Sequence, residues 1–412
     1  MEKIIVNGGK PLCGHIRASG SKNATLPLMF ASLLVPGVTV LNNVPNIGDV
    51  RVAMDIISSL GACVTLDGDR LTVDASHLTY SPPDPDLISK IRASTYLIGA
   101  SLARFGIAEI CEFGGCNFSA RPIDFHIMSA EKLGAIKVGN SLLAKKLVGA
   151  EIHLPKPSVG ATINAAIMAA SASGETEIFG YAKEPHVLSV LDFLSAIGAS
   201  VTVGDDSIKI KSAPPREAEV TVIGDMIEAG TYLILALATD GKITVSGTSP
   251  CELSSLLKVI RDIGYTVKVE NDSITVDSHM KNGAEQKSIF VNATPYPGFP
   301  TDLQPLIVPL LSRLGGTVSD SVWQERFGYL LPLGKMGLDY SPGHGCAIIR
   351  KSQLHSASVS ATDLRGGMAL VISALCADGV SEILSPDIIL RGYDRLIEKL
   401  SSLGADIKLT NL

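Results

Sequence analysis

Cations stand in this sequence where a helix would rather have anions. The residue pattern predicts apolar helices opening near Lys22-Asn23, Arg92, Ser158-Val159-Gly160, Asp225 with Glu228, Thr301-Asp302 and Thr362-Asp363-Leu364-Arg365. A helix N-terminus presents unpaired N–H groups and a partial positive charge, so it attracts anions and disfavours Lys and Arg. A single cation of this kind is usually solvated or paired with a neighbour; the whole set predicts a site for something anionic. A thiol joins the set. The segment Phe113-Gly114-Gly115-Cys116-Asn117-Phe118-Ser119-Ala120-Arg121-Pro122 is Gly-rich, with Arg121 five residues beyond Cys116. A nearby cation favours thiolate chemistry, whereas the plain alternative is a packed, inert cysteine. Pro295-Tyr296-Pro297-Gly298-Phe299-Pro300 is a stiff lead-in to Thr301-Asp302. Asp302 is either a helix cap or a general base. His126, Asp225, Glu228 and Asp363 follow as further candidates, with a surface role as the alternative for each.

The elements that must position these residues repeat. A helix ending in hydrophobic-Gly-hydrophobic occurs at Leu60-Gly61-Ala62, Leu133-Gly134-Ala135, Ile197-Gly198-Ala199, Ile263-Gly264-Tyr265, Met336-Gly337-Leu338 and Leu403-Gly404-Ala405. Glycine after a last helical turn supplies the left-handed residue that stops it, and near-constant spacing makes this a repeat. Most of these glycines precede a predicted hairpin, such as Cys63 to Leu66 and Leu71 to Val73 around Asp67-Gly68-Asp69. A short strand precedes each marker helix, and a second helix precedes that strand. The marker helices are amphipathic, with Leu253, Leu256, Leu257, Ile260 and Ile263 in one stripe. The other set is apolar nearly all round and needs burial on every side.

The expected fold is therefore α/β, with two domains of three β-α-β-α-β-β repeats, each repeat holding one helix wholly inside. The sixth hairpin has only one strand, Ile407 to Leu409, and the strands Lys3 to Val6 and His15 to Ala18 are expected to complete that unit. One domain then spans 22–224, and the other combines 1–21 with 225–412. Facing bundles of helix N-termini would form a cleft between them, where ligands prefer to bind.

Composition narrows the function. The 412 residues carry a formal charge of −6, which disfavours a nucleic-acid partner. No apolar run reaches the roughly 18 residues of a membrane span, and the start reads as a strand rather than a signal peptide. Seven cysteines without a Cys-x-x-Cys pair, and eight scattered histidines, indicate neither a disulfide framework nor a metal site. A reducing, cytoplasmic setting is expected.

Ser19-Gly20-Ser21-Lys22-Asn23-Ala24, Gly114-Gly115-Cys116 with Ala120-Arg121-Pro122-Ile123-Asp124, Phe299-Pro300-Thr301-Asp302, Ala361-Thr362-Asp363-Leu364-Arg365 and Arg391-Gly392-Tyr393 together resemble the UDP-N-acetylglucosamine 1-carboxyvinyltransferases of the enolpyruvyl transferase family. The resemblance covers essentially the whole chain, and implies an inside-out α/β barrel in each domain. It implies transfer of the enolpyruvyl group of phosphoenolpyruvate to the 3-hydroxyl of UDP-N-acetylglucosamine with release of phosphate, the first committed step of peptidoglycan synthesis. By the same resemblance, Lys22, Arg121 and Arg391 surround the phosphate and Arg326 and Arg365 suit the carboxylate, with Asn23 beside Lys22. Cys116 is implied as acid or covalent thiol, and Asp302 as the base at the 3-hydroxyl. Arg92, Arg121, Pro122, Ile123, Asp124, Phe125, Lys156, Pro157, Ser158, Val159 and Val322 are implied to line the sugar-nucleotide site. The two glycines before Cys116 suit a lid, and no cofactor or metal is implied.

The sequence departs from the family pattern at Gln324, two residues before Arg326, at Met226 after Asp225, and at Gly366-Gly367 after Arg365. The nearest rival is the shikimate-pathway enolpyruvyl transferase, which lacks the Gly-Gly-Cys loop. A non-catalytic sugar-nucleotide-binding paralogue is the rival of another class. A ring-shaped DNA clamp fails because its inner helices would be basic, whereas these are apolar.

Overall fold

The computed structural model describes residues 2–115, 121–283 and 289–411. They form two compact units, one of 20–115 with 121–223 and one of 2–19 with 224–411. Each unit has its own hydrophobic core.

In the 20–223 unit the helices longer than one turn are α1 (Lys22–Ala31), α2 (Gly48–Ser59), α3 (Leu97–Phe105), α4 (Asp124–Lys132), α5 (Val159–Ala169) and α6 (Pro185–Ala196). In the other unit they are α7 (Met226–Ala238), α8 (Ser254–Asp262), α9 (Gln304–Leu314), α10 (Leu330–Lys335), α11 (Leu364–Cys376) and α12 (Leu396–Ser402). The odd-numbered helices are the apolar set. Every residue of α7 is buried, as is Leu364–Leu375 of α11. Such helices have no polar face to offer water, so they pack on one another: α7, α9 and α11 in one unit, α3 against α1 and α5 in the other. The even-numbered helices bury one stripe, as α8 does with Leu256, Leu257 and Ile260. Each is followed by its marker glycine at positive φ, from Gly61 at 98° to Gly404 at 97°.

The four-stranded sheets share one plan, a parallel strand beside a central strand and then an antiparallel pair. In the 20–223 unit, β13 (Ala218–Thr221) lies parallel to β3 (Val38–Asn42), followed by β5 (Arg70–Asp74) and β4 (Cys63–Asp67). Likewise β9 (Glu151–His153) precedes β10 (Glu175–Phe179), β12 (Ser207–Lys211) and β11 (Ser200–Val203). The remaining sheet there holds three strands among the described residues, β6 (Ile107–Glu109), β8 (Ser141–Leu143) and β7 (Ile136–Val138).

In the other unit, β2 (Cys13–Arg17) precedes β14 (Lys242–Ser246), β16 (Ser273–Lys281) and β15 (Tyr265–Glu270). Next, β17 (Phe290–Ala293) precedes β18 (Gly316–Asp320), β20 (Cys346–Ile349) and β19 (Tyr340–Gly343). Last, β21 (Ser358–Ser360) precedes β22 (Gly379–Leu384), β1 (Glu2–Gly8) and β23 (Asp406–Asn411).

The first strand therefore takes the missing hairpin position of the sixth repeat, with Ile4 opposite both Ile383 and Leu409. The second strand differs from expectation. It lies in the fourth repeat's sheet, parallel to β14, rather than in the sixth. The reason is an exchange: β13, which directly precedes α7 and would serve β14, pairs with β3 instead. The chain passes between the units twice, at 19–20 and 223–224. The two passages run side by side, Asp225 N–H donating to Ser19 C=O (2.8 Å) and Ser21 N–H to Ile223 C=O (2.7 Å). Only glycine fits at either passage. A Cβ on Gly20 would lie 1.6 Å from Asn43 O, and one on Gly224 would lie 1.7 Å from Gly247 O.

Candidate active site

In the 20–223 unit the cations gather at helix starts. Ser21 caps α1, its Oγ accepting from Ala24 N–H at 3.3 Å, which places Lys22 at the first helical position. The Lys22 ammonium lies 2.8 Å from the buried Asp49 carboxylate in the first turn of α2. This acid answers the charge that the α1 dipole repels. Asn23 is half-buried beside it.

Arg92 opens a short 3-10 turn ahead of α3, and its Nη2 donates 2.6 Å to the Arg121 carbonyl. Burial, with the Arg121 charge nearby, pushes Arg92 below its ordinary value. Two like charges that act on each other favour any anion that neutralises both. Gly115 turns at φ 127° against the Arg92 side chain, and a Cβ on Gly114 would strike Ser89 O at 2.0 Å. Close approach to residues 89–92 thus requires glycine before Cys116; Cys116 itself and Ala120 lie outside the described residues.

From Arg121 the chain enters α4. Pro122 and Asp124 are exposed, while Ile123 and Phe125 are half-buried against the core. Lys156 and Pro157 are exposed, Ser158 caps α5 by accepting from Ala161 N–H at 3.4 Å, and Val159 is the first helical residue. His126 is buried beneath this start, its Nδ1 2.6 Å from Asn164 Nδ2. Burial, then the Arg92 charge, lower His126 to about 4 against a weaker pull from Asp124.

The other unit holds an anion already seated on two cations. Asp302 lies in the turn that leads into α9. Its Oδ1 accepts from Arg326 Nη1 at 2.8 Å, and its Oδ2 from Arg365 Nε and Nη2 at 3.1 and 3.0 Å. Burial alone would raise this carboxyl, but Arg365 and then Arg326 outweigh it and hold Asp302 far below the usual carboxylate range. Both guanidinium groups are buried, with side chains 5% and 3% exposed.

Their surroundings fix them. Arg326 Nη1 also donates to Thr301 Oγ1 (3.1 Å), whose hydroxyl donates to Asp320 (2.5 Å). Asp320 accepts in turn from the N–H groups of Val322 and Trp323, which leaves Val322 half-buried at the turn after β18. Arg365 stacks over the Tyr393 ring at 5.2 Å. Asp363 caps α11 by accepting from Arg365 and Gly366 N–H. Arg391 is half-buried at the end of the one-turn helix Asp387–Leu390.

Steric room accounts for part of the departures from the family pattern. A Cβ on Gly366 would meet Asp363 Oδ2 at 2.5 Å and Tyr329 Cβ at 2.6 Å, and one on Gly367 would meet Ile389 at 2.6 Å. Met226 packs into the core, where a basic residue would lose its water. Gln324 is exposed.

Sequence reasoning missed a buried ionic clamp on Ser19. Its N–H donates to Glu228 Oε2 (2.7 Å), its hydroxyl to Asp394 (2.8 Å), and Lys399 Nζ reaches both Ser19 Oγ (2.7 Å) and Glu228 Oε1 (2.5 Å). Lys399 on an amphipathic helix reads as a solvated cation, and its partners are far away in sequence. Asp49, Asn164 and Asp320 were missed for the same reason, although an acid in the first turn of α2 was a readable signal for Asp49.

A family model described as EPSP synthase (3-phosphoshikimate 1-carboxyvinyltransferase) matches residues 6–400. The UDP-N-acetylglucosamine 1-carboxyvinyltransferase of Halothermothrix orenii is 40% identical over 416 residues, covering 99% of each chain. UDP-N-acetylglucosamine 1-carboxyvinyltransferase 3 of Caldanaerobacter subterraneus is 41% identical with the same coverage. Among solved structures, the enolpyruvyl transferase NikO from Streptomyces tendae superposes with a TM-score of 0.88 at 24% identity, covering 100% of this chain and 99% of that one. EPSP synthase from Acinetobacter baumannii gives 0.70 at 15% identity over the full length of both. At these identities the two structures speak to fold alone.

Proposed function

Because the chain belongs to the UDP-N-acetylglucosamine 1-carboxyvinyltransferases of the enolpyruvyl transferase family, we propose that its helix-start cations carry the chemistry of that reaction. The enzyme transfers the enolpyruvyl group of phosphoenolpyruvate to the 3-hydroxyl of UDP-N-acetylglucosamine and releases phosphate, at the first committed step of peptidoglycan synthesis. The oxygen of the 3-hydroxyl bonds to C2 of phosphoenolpyruvate while C3 gains a proton and the hydroxyl loses one. The tetrahedral adduct then loses a proton from C3 and expels phosphate from C2. No electrons leave the reactants, so this addition–elimination calls for no redox cofactor.

Both substrates are polyanions, and charge-assisted hydrogen bonds from fixed cations neutralise them as charge moves. Lys22, Arg121 and Arg391 take the phosphate, Asn23 binds beside Lys22, and Arg326 and Arg365 take the carboxylate. Arg92, Arg121 to Phe125, Lys156 to Val159, and Val322 hold the sugar nucleotide. Cys116 serves as acid or covalent thiol towards phosphoenolpyruvate, on a lid hinged at Gly114-Gly115. Under this reading the enzyme works in the cytoplasm.

The observation that carries the reading is the seated carboxylate of Asp302: Arg326 and Arg365 already form a carboxylate site, held by a group of this chain. When the substrate carboxylate takes over those guanidinium groups, Asp302 is released from the charges that suppress its basicity. It then accepts the 3-hydroxyl proton. Phosphate release tests the reading directly. Turnover is expected with phosphoenolpyruvate and UDP-N-acetylglucosamine, and none with 3-phosphoshikimate in place of the sugar nucleotide. The reverse preference would assign the shikimate-pathway reaction, and silence with both would assign a binding paralogue.

A further inference from the structure

We propose that Asn164 is a positioning residue that locks His126 as its neutral Nε2–H tautomer, so that the ring offers the sugar nucleotide a hydrogen-bond donor rather than a base or a cation. Three hydrogen bonds fix the orientation of Asn164. Gly99 N–H in α3 points at one terminal atom of Asn164, 2.8 Å away. A backbone amide only donates, so that atom is Oδ1. The other terminal atom is then the amide nitrogen, and its two hydrogens have two targets: Thr95 C=O at 2.9 Å and His126 Nδ1 at 2.6 Å. A carbonyl only accepts, so Thr95 fixes the same orientation independently. Nδ1 therefore faces an N–H, holds its lone pair towards it, and leaves the ring proton on Nε2.

A proton on Nδ1 would set two donors against each other across 2.6 Å. That adds a geometric reason for a neutral ring to the desolvation of a side chain 5% exposed. The charged groups around it are Arg92, which opposes a second positive charge, and Asp124 on its own helix. The facing helix α5 brings none, since Val159–Ala169 contains no ionisable residue.

Nε2 lies over the first turn of α5, where a Cβ on Gly160 would come within 3.1 Å of it. Among the described residues Nε2 makes no hydrogen bond. A buried imidazole with a committed, unused N–H at a helix start suits an oxygen acceptor of the ligand. Identifying that ligand as UDP-N-acetylglucosamine rests on the preceding functional reading; the tautomer does not.

Two-bond 1H–15N correlations of 15N-histidine protein, with His126 assigned by its loss in His126→Gln, read the tautomer. The wild type should show the Nε2–H pattern from pH 5 to 8. Asn164→Leu removes the donor, so the ring should become a tautomer mixture whose protonation moves up towards its ordinary value. The KM for UDP-N-acetylglucosamine should rise roughly five- to tenfold, the loss of one oriented hydrogen bond, with little change in kcat. An Nδ1–H pattern in the wild type overturns the proposal even if Asn164→Leu fails to fold. An unchanged tautomer in a folded Asn164→Leu protein overturns it as well, and a released tautomer with unchanged KM overturns the ligand contact. If the wild type releases no phosphate with the sugar nucleotide, the functional reading falls and the spectra still judge the lock.

Discussion

Neutralising Asp302 should weaken the fold and strengthen substrate binding at once. Asp302→Asn removes the single negative charge that accepts three hydrogen bonds from Arg326 and Arg365, and leaves two buried guanidinium groups without their shared anion. Breaking a buried ion pair on one side costs about 3–5 kcal/mol. The Asp302 side chain is 27% exposed, and an amide oxygen still accepts one bond. The expected loss is therefore nearer about 2–3 kcal/mol. In a unit of roughly 200 residues this lowers Tm by about 4–12 °C. The sign with pH is fixed. A carboxyl held below its ordinary value stabilises the fold above about pH 4, and that contribution is lost as acid protonates it. Wild type and variant should therefore converge in acid. Phosphoenolpyruvate must displace Asp302 in the wild type but meets no internal competitor in the variant, so its Kd should fall roughly tenfold, equivalent to about 1.4 kcal/mol. Calorimetry with UDP-N-acetylglucosamine present, together with thermal scans with and without phosphoenolpyruvate, measures both. Turnover is not the readout, because Asp302 is also the candidate base. A variant as stable as the wild type, or one that binds phosphoenolpyruvate more weakly, would refute the reasoning.

Cys116→Ser should impair turnover and abolish covalent labelling by fosfomycin, the family's thiol-directed inhibitor; labelling that persists by mass spectrometry would remove Cys116 from the site. Lys399→Met strands the buried Glu228 carboxylate and should cost about 3–5 kcal/mol in denaturant titrations. Adding Glu228→Gln should recover part of that, and no recovery would mean the clamp is not a charge network. Gly20→Ala has no room for its methyl against Asn43 O, whereas Gly61→Ala faces open space and meets only its φ of 98°. The first should abolish the folded protein and the second should cost about 1 kcal/mol; comparable Tm values would argue against the close approach. His126 is held neutral down to about pH 4. Its share of stability is complete above its ordinary value near 6.5 and should decline by about 3 kcal/mol between there and pH 4. A His126→Phe protein should show a flatter Tm profile over that window.

Local signals were legible in the sequence. The six marker glycines announce a backbone conformation that other residues avoid, and each stands after its helix at positive φ. All-round apolar helices announce burial, as Met226–Ala238 illustrates. What stayed hidden is pairing over distance. Nothing within Cys13–Arg17 or Ala218–Thr221 says that these strands exchange sheets, because each would suit either parallel edge. Asp302 was readable as a residue with chemistry, but its two arginine partners, 24 and 63 residues away, turn an expected base into a suppressed one. Asn164 gave no sign at all, since a lone Asn in a run of alanines and isoleucines acquires meaning only from Gly99, Thr95 and His126.

The placement of β1 bears on how the protein comes off the ribosome. The strand is synthesised long before both of its neighbours, β22 and β23. At usual elongation rates roughly 20 to 80 s separate the emergence of Ile4 from that of Leu409. The 20–223 unit has all its strands long before that and is free to fold while translation continues. Its companion must wait, carrying an unpaired nascent strand through most of synthesis. Cellular folding factors would meet this protein at β1, and termination before β22 would leave that strand as an adhesive edge.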